Sequence, residues 1–156
     1  MTLSIPVSPV KWWNMYYNII AGYAKAKKYY GSVLSSFEAG GLGMYTSQTF
    51  TLPANITFEL SAFYGTGGLF GVVKIDPAGV LNAGLQKKFG DQTILRVGYD
   101  DVFHTLKYSG ESDLPQINQY FRAYFLFQQP TFKISFTQNF GNQKMKGKRE
   151  RQTGAE

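Results

Sequence analysis

Apolar side chains recur at every second position along most of this chain. From Phe132 the even positions read Phe132, Ile134, Phe136, Gln138 and Phe140, and the odd ones read Lys133, Ser135, Thr137 and Asn139. Ile56, Phe58, Leu60, Ala62 and Tyr64 alternate with Thr57, Glu59, Ser61 and Phe63. Trp13, Met15, Tyr17, Ile19, Ala21 and Tyr23 alternate with Asn14, Tyr16, Asn18 and Ile20, while Leu95, Val97 and Tyr99 oppose Arg96, Gly98 and Asp100. Successive side chains of an extended backbone point to opposite sides, so this period of two gives strands with one greasy side and one polar side. Helical spacing is weak, and glycine falls inside nearly every candidate helix. The pattern predicts strands at 1–7, 12–27, 33–52, 56–66, 70–88, 92–107 and 117–140. The expected fold is all-β: an antiparallel up-and-down meander of about seven strands, an open fragment of a larger transmembrane β-barrel.

Strand length and the connections support the barrel. Strands of globular proteins usually run ~5–6 residues, whereas a tilted strand crossing a bilayer needs ~9–11. Ser8-Pro9-Val10-Lys11, Pro53-Ala54-Asn55 and Phe89-Gly90-Asp91 read as tight connections. Lys27 to Ser32, Gly65 to Leu69 and Ser109 to Gln116 read as looser ones. Short turns at one end and longer loops at the other are the habit of outer-membrane barrels, whose short turns are periplasmic. The last strand then descends to the periplasm and ends at Phe140-Gly141. Gln128-Gln129-Pro130 interrupts it, and proline cannot donate to a ladder. A bulge there keeps the assigned sidedness, and a hairpin turn inverts it.

Composition sharpens this picture. The 156 residues include 13 Phe, 11 Tyr and 2 Trp, and hydrophobic residues make up 44%. No stretch approaches the ~20 consecutive apolar residues of a membrane helix. A strand with a lipid side and a water side averages to neutral, so unremarkable bulk hydropathy does not argue against a membrane barrel. The residues expected to face lipid are Trp13, Tyr17, Ile19, Phe58, Leu60, Leu95, Val97, Phe132, Ile134, Phe136 and Phe140. Trp12, Trp13, Tyr16 and Tyr17 lie beside a tight turn and read as an interfacial belt rather than a ligand-stacking box.

The net charge is +6. Lys144, Lys146, Lys148, Arg149 and Arg151 gather at the C-terminal end, opposed only by Glu150 and Glu156. No folded basic face accompanies them, so nucleic acid is not an expected partner. The division expected is 1–141 as barrel strands and 142–156 as a basic, disordered periplasmic tail, since ordering so polar a segment has no burial to offset it. Met1 is followed by no basic region and apolar core of an export leader. A segment of a longer exported chain is the expectation.

Candidate chemistry is sparse. Cysteine is absent, which excludes thiolate chemistry and disulfides within the chain. His104 is the sole histidine. Read on a strand, it shares a face with Asp100 but sits too far along for a direct bond, and zinc lacks a ligand set. Glu111 and Asp113 read as a solvated loop rather than a calcium site. Gly65-Thr66-Gly67-Gly68 and Gly40-Gly41-Leu42-Gly43 are not followed by Lys-Ser/Thr or by a helix, so neither is a phosphate loop. The second sits in a strand, where glycine permits a bend or the close approach of a plug. No catalytic, cofactor or metal residue is assigned, and an enzyme is not expected.

Specific runs carry a family resemblance. Leu85-Gln86-Lys87-Lys88-Phe89 and Ile94-Leu95-Arg96-Val97-Gly98-Tyr99-Asp100-Asp101-Val102-Phe103 resemble closing strands of TonB-dependent-receptor-like barrels, the Bacteroidetes-type outer membrane protein beta-barrel family. Phe132 through Lys144 is similar to that family's last strand and exit, and Lys146 through Gly154 to its basic end. Trp12-Trp13 and Phe50-Thr51-Leu52-Pro53 match weakly. Gln138 departs from the pattern, standing where members carry an aromatic two residues before the final Phe. The resemblance implies a Gram-negative outer-membrane location with a periplasmic C-terminus and energised uptake of a bulky nutrient, such as a metal chelate or glycan. The partners it implies are outer-membrane lipids, further N-terminal strands and a plug, TonB, and barrel-assembly machinery. Two other readings compete: a soluble β-sandwich or small ligand-binding barrel, and a small self-contained structural membrane barrel. The fragment reading requires that the strands near Leu3 and Phe136 are not paired with each other.

Overall fold

The computed structural model describes residues 1–125 and 130–140. In chain order its strands are β1 (Thr2–Val10), β2 (Trp13–Tyr30), β3 (Val33–Leu52), β4 (Ile56–Gly65), β5 (Gly68–Phe70) and β6 (Val73–Ile75). They continue with β7 (Ala78–Phe89), β8 (Thr93–Asp100), β9 (Tyr108–Leu114), β10 (Gln119–Phe125) and β11 (Thr131–Gln138). Seven of them form one antiparallel sheet in the order β1-β2-β3-β4-β7-β8-β11. The other four form a second sheet, β10-β9-β6-β5. The large sheet is a meander in chain order, and it is open: β1 and β11 lie at opposite edges and do not pair.

Turn chemistry sets the registers at one end. Lys11-Trp12 joins β1 to β2 after an irregularity between Val7 and Val10. Pro53–Asn55 joins β3 to β4, with Ala54 and Asn55 in the left-handed region. Gly90 at φ 66° begins the turn from β7 to β8.

The opposite end departs from the expected strand map. The segment 27–32 is no loose loop: pairing runs to Tyr30↔Val33 around a two-residue turn, where Gly31 adopts φ 63°. The strand expected over 70–88 is divided. Gly71, at φ 62°, turns β5 into β6, and Pro77, which has no N–H to offer a ladder, precedes β7. The strand expected over 92–107 stops at Asp100. Asp101 is buried at φ 51°, and its carboxylate accepts from the backbone N–H of Thr105 at 2.8 Å and of Leu106. Such local side-chain bonding displaces the ladder. The segment 109–116, expected as a loop, supplies β9, whose hairpin with β10 closes through Pro115–Ile117 and a left-handed Asn118. The strand expected over 117–140 is two strands in two sheets. The interruption expected at Gln128-Gln129-Pro130 falls largely outside the described residues, as does the tail 142–156.

The second sheet thus grows from two connections of the first, after β4 and after β8. They zip together through Lys74↔Glu111 and Ile75↔Gly110. Asp76 fastens the junction, accepting from Ser109 Oγ at 2.6 Å and from Arg122 at 3.0 Å. Those partners, Ser109 first, hold its carboxyl below the usual carboxylate range. The few buried side chains gather largely around this second sheet and its attachment: Ala78, Asp101, Leu106, Ser112 and Leu114. Elsewhere the large sheet buries almost nothing. Among the described residues thirty large apolar side chains are exposed and no side chain is fully enclosed. For a chain of 156 residues in water, that is not a folded core.

Candidate functional site

The register resolves the large sheet into two unlike faces. Paired residues of an antiparallel sheet share a side. One row runs Val10, Trp13, Phe50, Phe58, Leu85, Val97, Ile134 across all seven strands. A neighbouring row runs Val7, Met15, Gln48, Leu60, Ala83, Tyr99, Phe132. Ten of the eleven residues expected to face lipid therefore share one face: Trp13, Tyr17, Ile19, Phe58, Leu60, Leu95, Val97, Phe132, Ile134 and Phe136. Phe140 lies past the end of β11.

Charge is absent from the middle of this apolar face. Its charged residues are Lys87 at the turn end, bonded to the Ala54 carbonyl, and Lys25, Lys27 and Glu38 at the other. Aromatic rings mark the turn end: Trp13 stacks on Phe50 at 5.5 Å and Phe50 on Phe58 at 5.9 Å, with Trp12 beside them. Tyr16 belongs to the opposite face, with its ring 6.4 Å from that of Tyr45. The belt expected from Trp12, Trp13, Tyr16 and Tyr17 thus divides between the two sides.

The hairpin ends step regularly across the first row. Trp13 is the first residue of β2; Phe50 and Phe58 lie two residues inside the turn ends of β3 and β4; Leu85 and Val97 lie four inside those of β7 and β8. The offset averages one residue per strand. With ~3.3 Å per residue and ~4.8 Å between strands, turns lying in one plane require a strand tilt of about 35°. Membrane barrels tilt by ~35–45°. On β2 the uncharged stretch of this face runs from Trp13 to Tyr23, roughly 33 Å of strand. At that tilt it stands about 27 Å tall, against the ~25 Å apolar band of a membrane barrel.

The other face is polar. Glu59, Ser61, Asn82, Gln86, Arg96, Asp100, Lys133, Ser135 and Thr137 share it. Arg96 donates to Gln86, Lys133 pairs with Asp100, and Asn82 donates to Ser61 at 3.4 Å. Gly84 and Gly98 lie between Glu59 and Lys133 in one row and form the floor of a trough. An apolar hollow adjoins it at the loop end, lined by Ile20, Phe63, Leu69, Ile75 and Tyr108.

An apolar band of membrane height backed by a polar lining is the cross-section of a barrel wall. A family model, that of the outer membrane protein beta-barrel family, matches residues 1–137. The chain belongs to that family. Its location is accordingly the outer membrane. Comparison with curated proteins and with solved structures finds no match.

The candidate chemical residues fall differently from their expected places in this barrel wall. His104 is not on a strand. It sits in the turn after β8 at φ 57°, its N–H bonded to the Asp101 carbonyl and its ring 3.2 Å from the Tyr99 hydroxyl. Glu111 and Asp113 are on β9, not in a loop, and Glu111 accepts from Tyr120 at 2.9 Å. Among the described residues no three potential metal ligands gather. The glycines at 40–43 do receive a close approach, from the connection after β4: a Cβ on Gly41 would meet the Gly67 carbonyl at 2.4 Å. The small sheet is the feature missed by the sequence reading. β9 has no large apolar side chain between Tyr108 and Leu114, so hydrophobic alternation does not reveal it.

Proposed function

We propose that this chain is the C-terminal wall of a TonB-dependent receptor that imports a bulky nutrient across the outer membrane. The observation that carries the reading is the openness of the large sheet. Among the described residues no strand pairs with the outer edge of β1 or of β11. Hydrocarbon does not tolerate an unsatisfied sheet edge, so both edges need strands from outside this sheet. A wall seven strands wide that still does not close belongs to a wide barrel, with room for a plug and a large solute. The apolar face lies against lipid and the polar face lines the lumen. The short turns face the periplasm, as does the C-terminus, and the small sheet roofs the outer mouth. The apolar hollow at that mouth and the Glu59-to-Lys133 trough below it are surfaces a solute meets in passing. No residue carries catalysis, and no nucleic acid is bound.

The test is genetic. Deleting the whole gene should abolish growth on one bulky nutrient, and deleting TonB should abolish it equally, with no further loss in the double deletion. Uptake that persists without TonB but is lost with the gene would contradict the receptor reading and leave a passive or structural barrel.

A further inference from the structure

The β2–β3 hairpin outruns the rest of the sheet. β4 pairs with β3 only between Gly43 and Leu52, so beyond Leu42 the segment Tyr23–Gly41 stands clear as a hairpin paired to itself. One side of it is covered. Gly41 abuts Gly67, and Thr66 exchanges hydrogen bonds with Leu42 at 2.8 and 2.9 Å. The other side continues the apolar face of the wall and carries Tyr23, Lys25, Lys27 and Tyr29. Tyr23 and Tyr29 are 67% and 69% exposed. Lys25 is held 3.1 Å from Glu38, directly opposite it. Lys27 is exposed and faces Ser36, with no ion pair among the described residues.

We propose that this face is a binding site for the phosphate groups of outer-leaflet lipid, with Lys25 and Lys27 as the phosphate ligands and Tyr23 seated at headgroup level. The proposal rests on the orientation given above, in which the loop end faces outward. Height is the first argument. At the ~35° tilt, Lys25 lies about 5 Å and Lys27 about 11 Å beyond Tyr23, at ~3.3 Å per residue. Headgroups occupy ~5–8 Å on each side of the hydrocarbon, so the Lys25 backbone lies within that layer and Lys27 just above it, its long side chain reaching back into it. Continuity is the second: whatever lipid covers Tyr17 and Ile19 presents its polar group to the next residues along the same strand. Charge is the third. Two ammonium groups face a layer of anions, and lysine stems lie along apolar surface while their heads reach polar partners. Glu38 sets the arrangement of the pair. The Tyr23 hydroxyl and Lys25 hold its carboxyl below the usual carboxylate range, so it stays ionised and fixes Lys25 while Lys27 remains free.

The whole barrel carrying this chain, purified in neutral detergent with a chelator, is titrated with phosphorylated lipid A and with the same lipid stripped of its phosphates. Bound lipid is counted by native mass spectrometry. The phosphorylated form should bind more tightly, and the preference should shrink with salt. Lys25→Ala with Lys27→Ala should weaken it roughly 25-fold, about fivefold for each lysine. Glu38→Gln should strengthen it. Heat-modifiable gel migration checks that each variant remains folded. Equal binding of the two lipids, or a double variant that binds like the parent, overturns the phosphate site. Orientation is read separately. This chain has no cysteine, so Lys27→Cys can be probed on whole cells with a membrane-impermeant maleimide. Labelling from outside supports the orientation on which the site rests. Labelling only after lysis overturns both the orientation and the site.

Discussion

Ile134→Lys should reduce the folded, membrane-integrated protein severely, while Ser135→Lys on the adjacent position should leave it near the parent level. Ile134 belongs to the row Leu85, Val97, Ile134, four residues inside the turn ends of its strands. At ~3.3 Å per residue and the ~35° tilt, that is about 11 Å from the turn plane, close to the middle of a ~25 Å band. A lysine facing hydrocarbon at the midplane costs ~2–4 kcal/mol, a factor of about thirty to several hundred in the folding equilibrium. Proteins are stable by only ~5–15 kcal/mol, so the loss reaches the folded fraction. Ser135 is on the face of Arg96, Asp100 and Lys133, where a further ammonium stays in water. The heat-modifiable fraction in outer-membrane extracts measures both. Equal losses would sink the assignment of the faces.

The second large effect concerns the chain by itself. Expressed alone and refolded without detergent, residues 1–140 should aggregate; with detergent they should remain dispersed and rich in strand. The described residues bury only Ala78, Leu106 and Leu114 as apolar core, and none of these lies within the apolar face. Phe132, Ile134 and Phe136 are 61%, 66% and 66% exposed on one face of an edge strand. A continuous apolar face next to an open strand edge recruits other copies unless lipid or detergent covers it. Light scattering and sedimentation without detergent give the answer. A monodisperse soluble monomer would instead support a β-sandwich or a small ligand-binding barrel.

The wall of the barrel was legible in the sequence because its physics is local. Alternation from Trp13 to Tyr23, from Ile56 to Tyr64 and from Phe132 to Phe136 reports which side each residue takes, and a one-residue slip would have exchanged the faces. The tight turns at Pro53–Asn55 and after Phe89 carry their own conformational signals. The loop end was not legible, for a different reason in each segment. Tyr108–Leu114 carries large apolar side chains only at its two ends, and it pairs with Gln119–Phe125 and β6, contacts that its own residues do not announce. Asp101 ends β8 through bonds to residues four and five positions later, which alternation does not reveal. The Asp76–Ser109–Arg122 junction joins segments 33 and 46 positions apart. The stagger of the hairpins, which gives the tilt, needs pairing between strands and could not be taken from any one of them.

The central claim is that the even positions of β11 meet lipid and the odd positions meet water. It is tested most directly by placing single spin-labelled cysteines at 132 through 137 in the whole barrel, reconstituted in bilayers, and comparing relaxation by oxygen with relaxation by a water-soluble nickel chelate. Phe132, Ile134 and Phe136 should favour oxygen, and Lys133, Ser135 and Thr137 the nickel chelate, with a period of two. Reversed phase, or accessibility without alternation, would contradict the account.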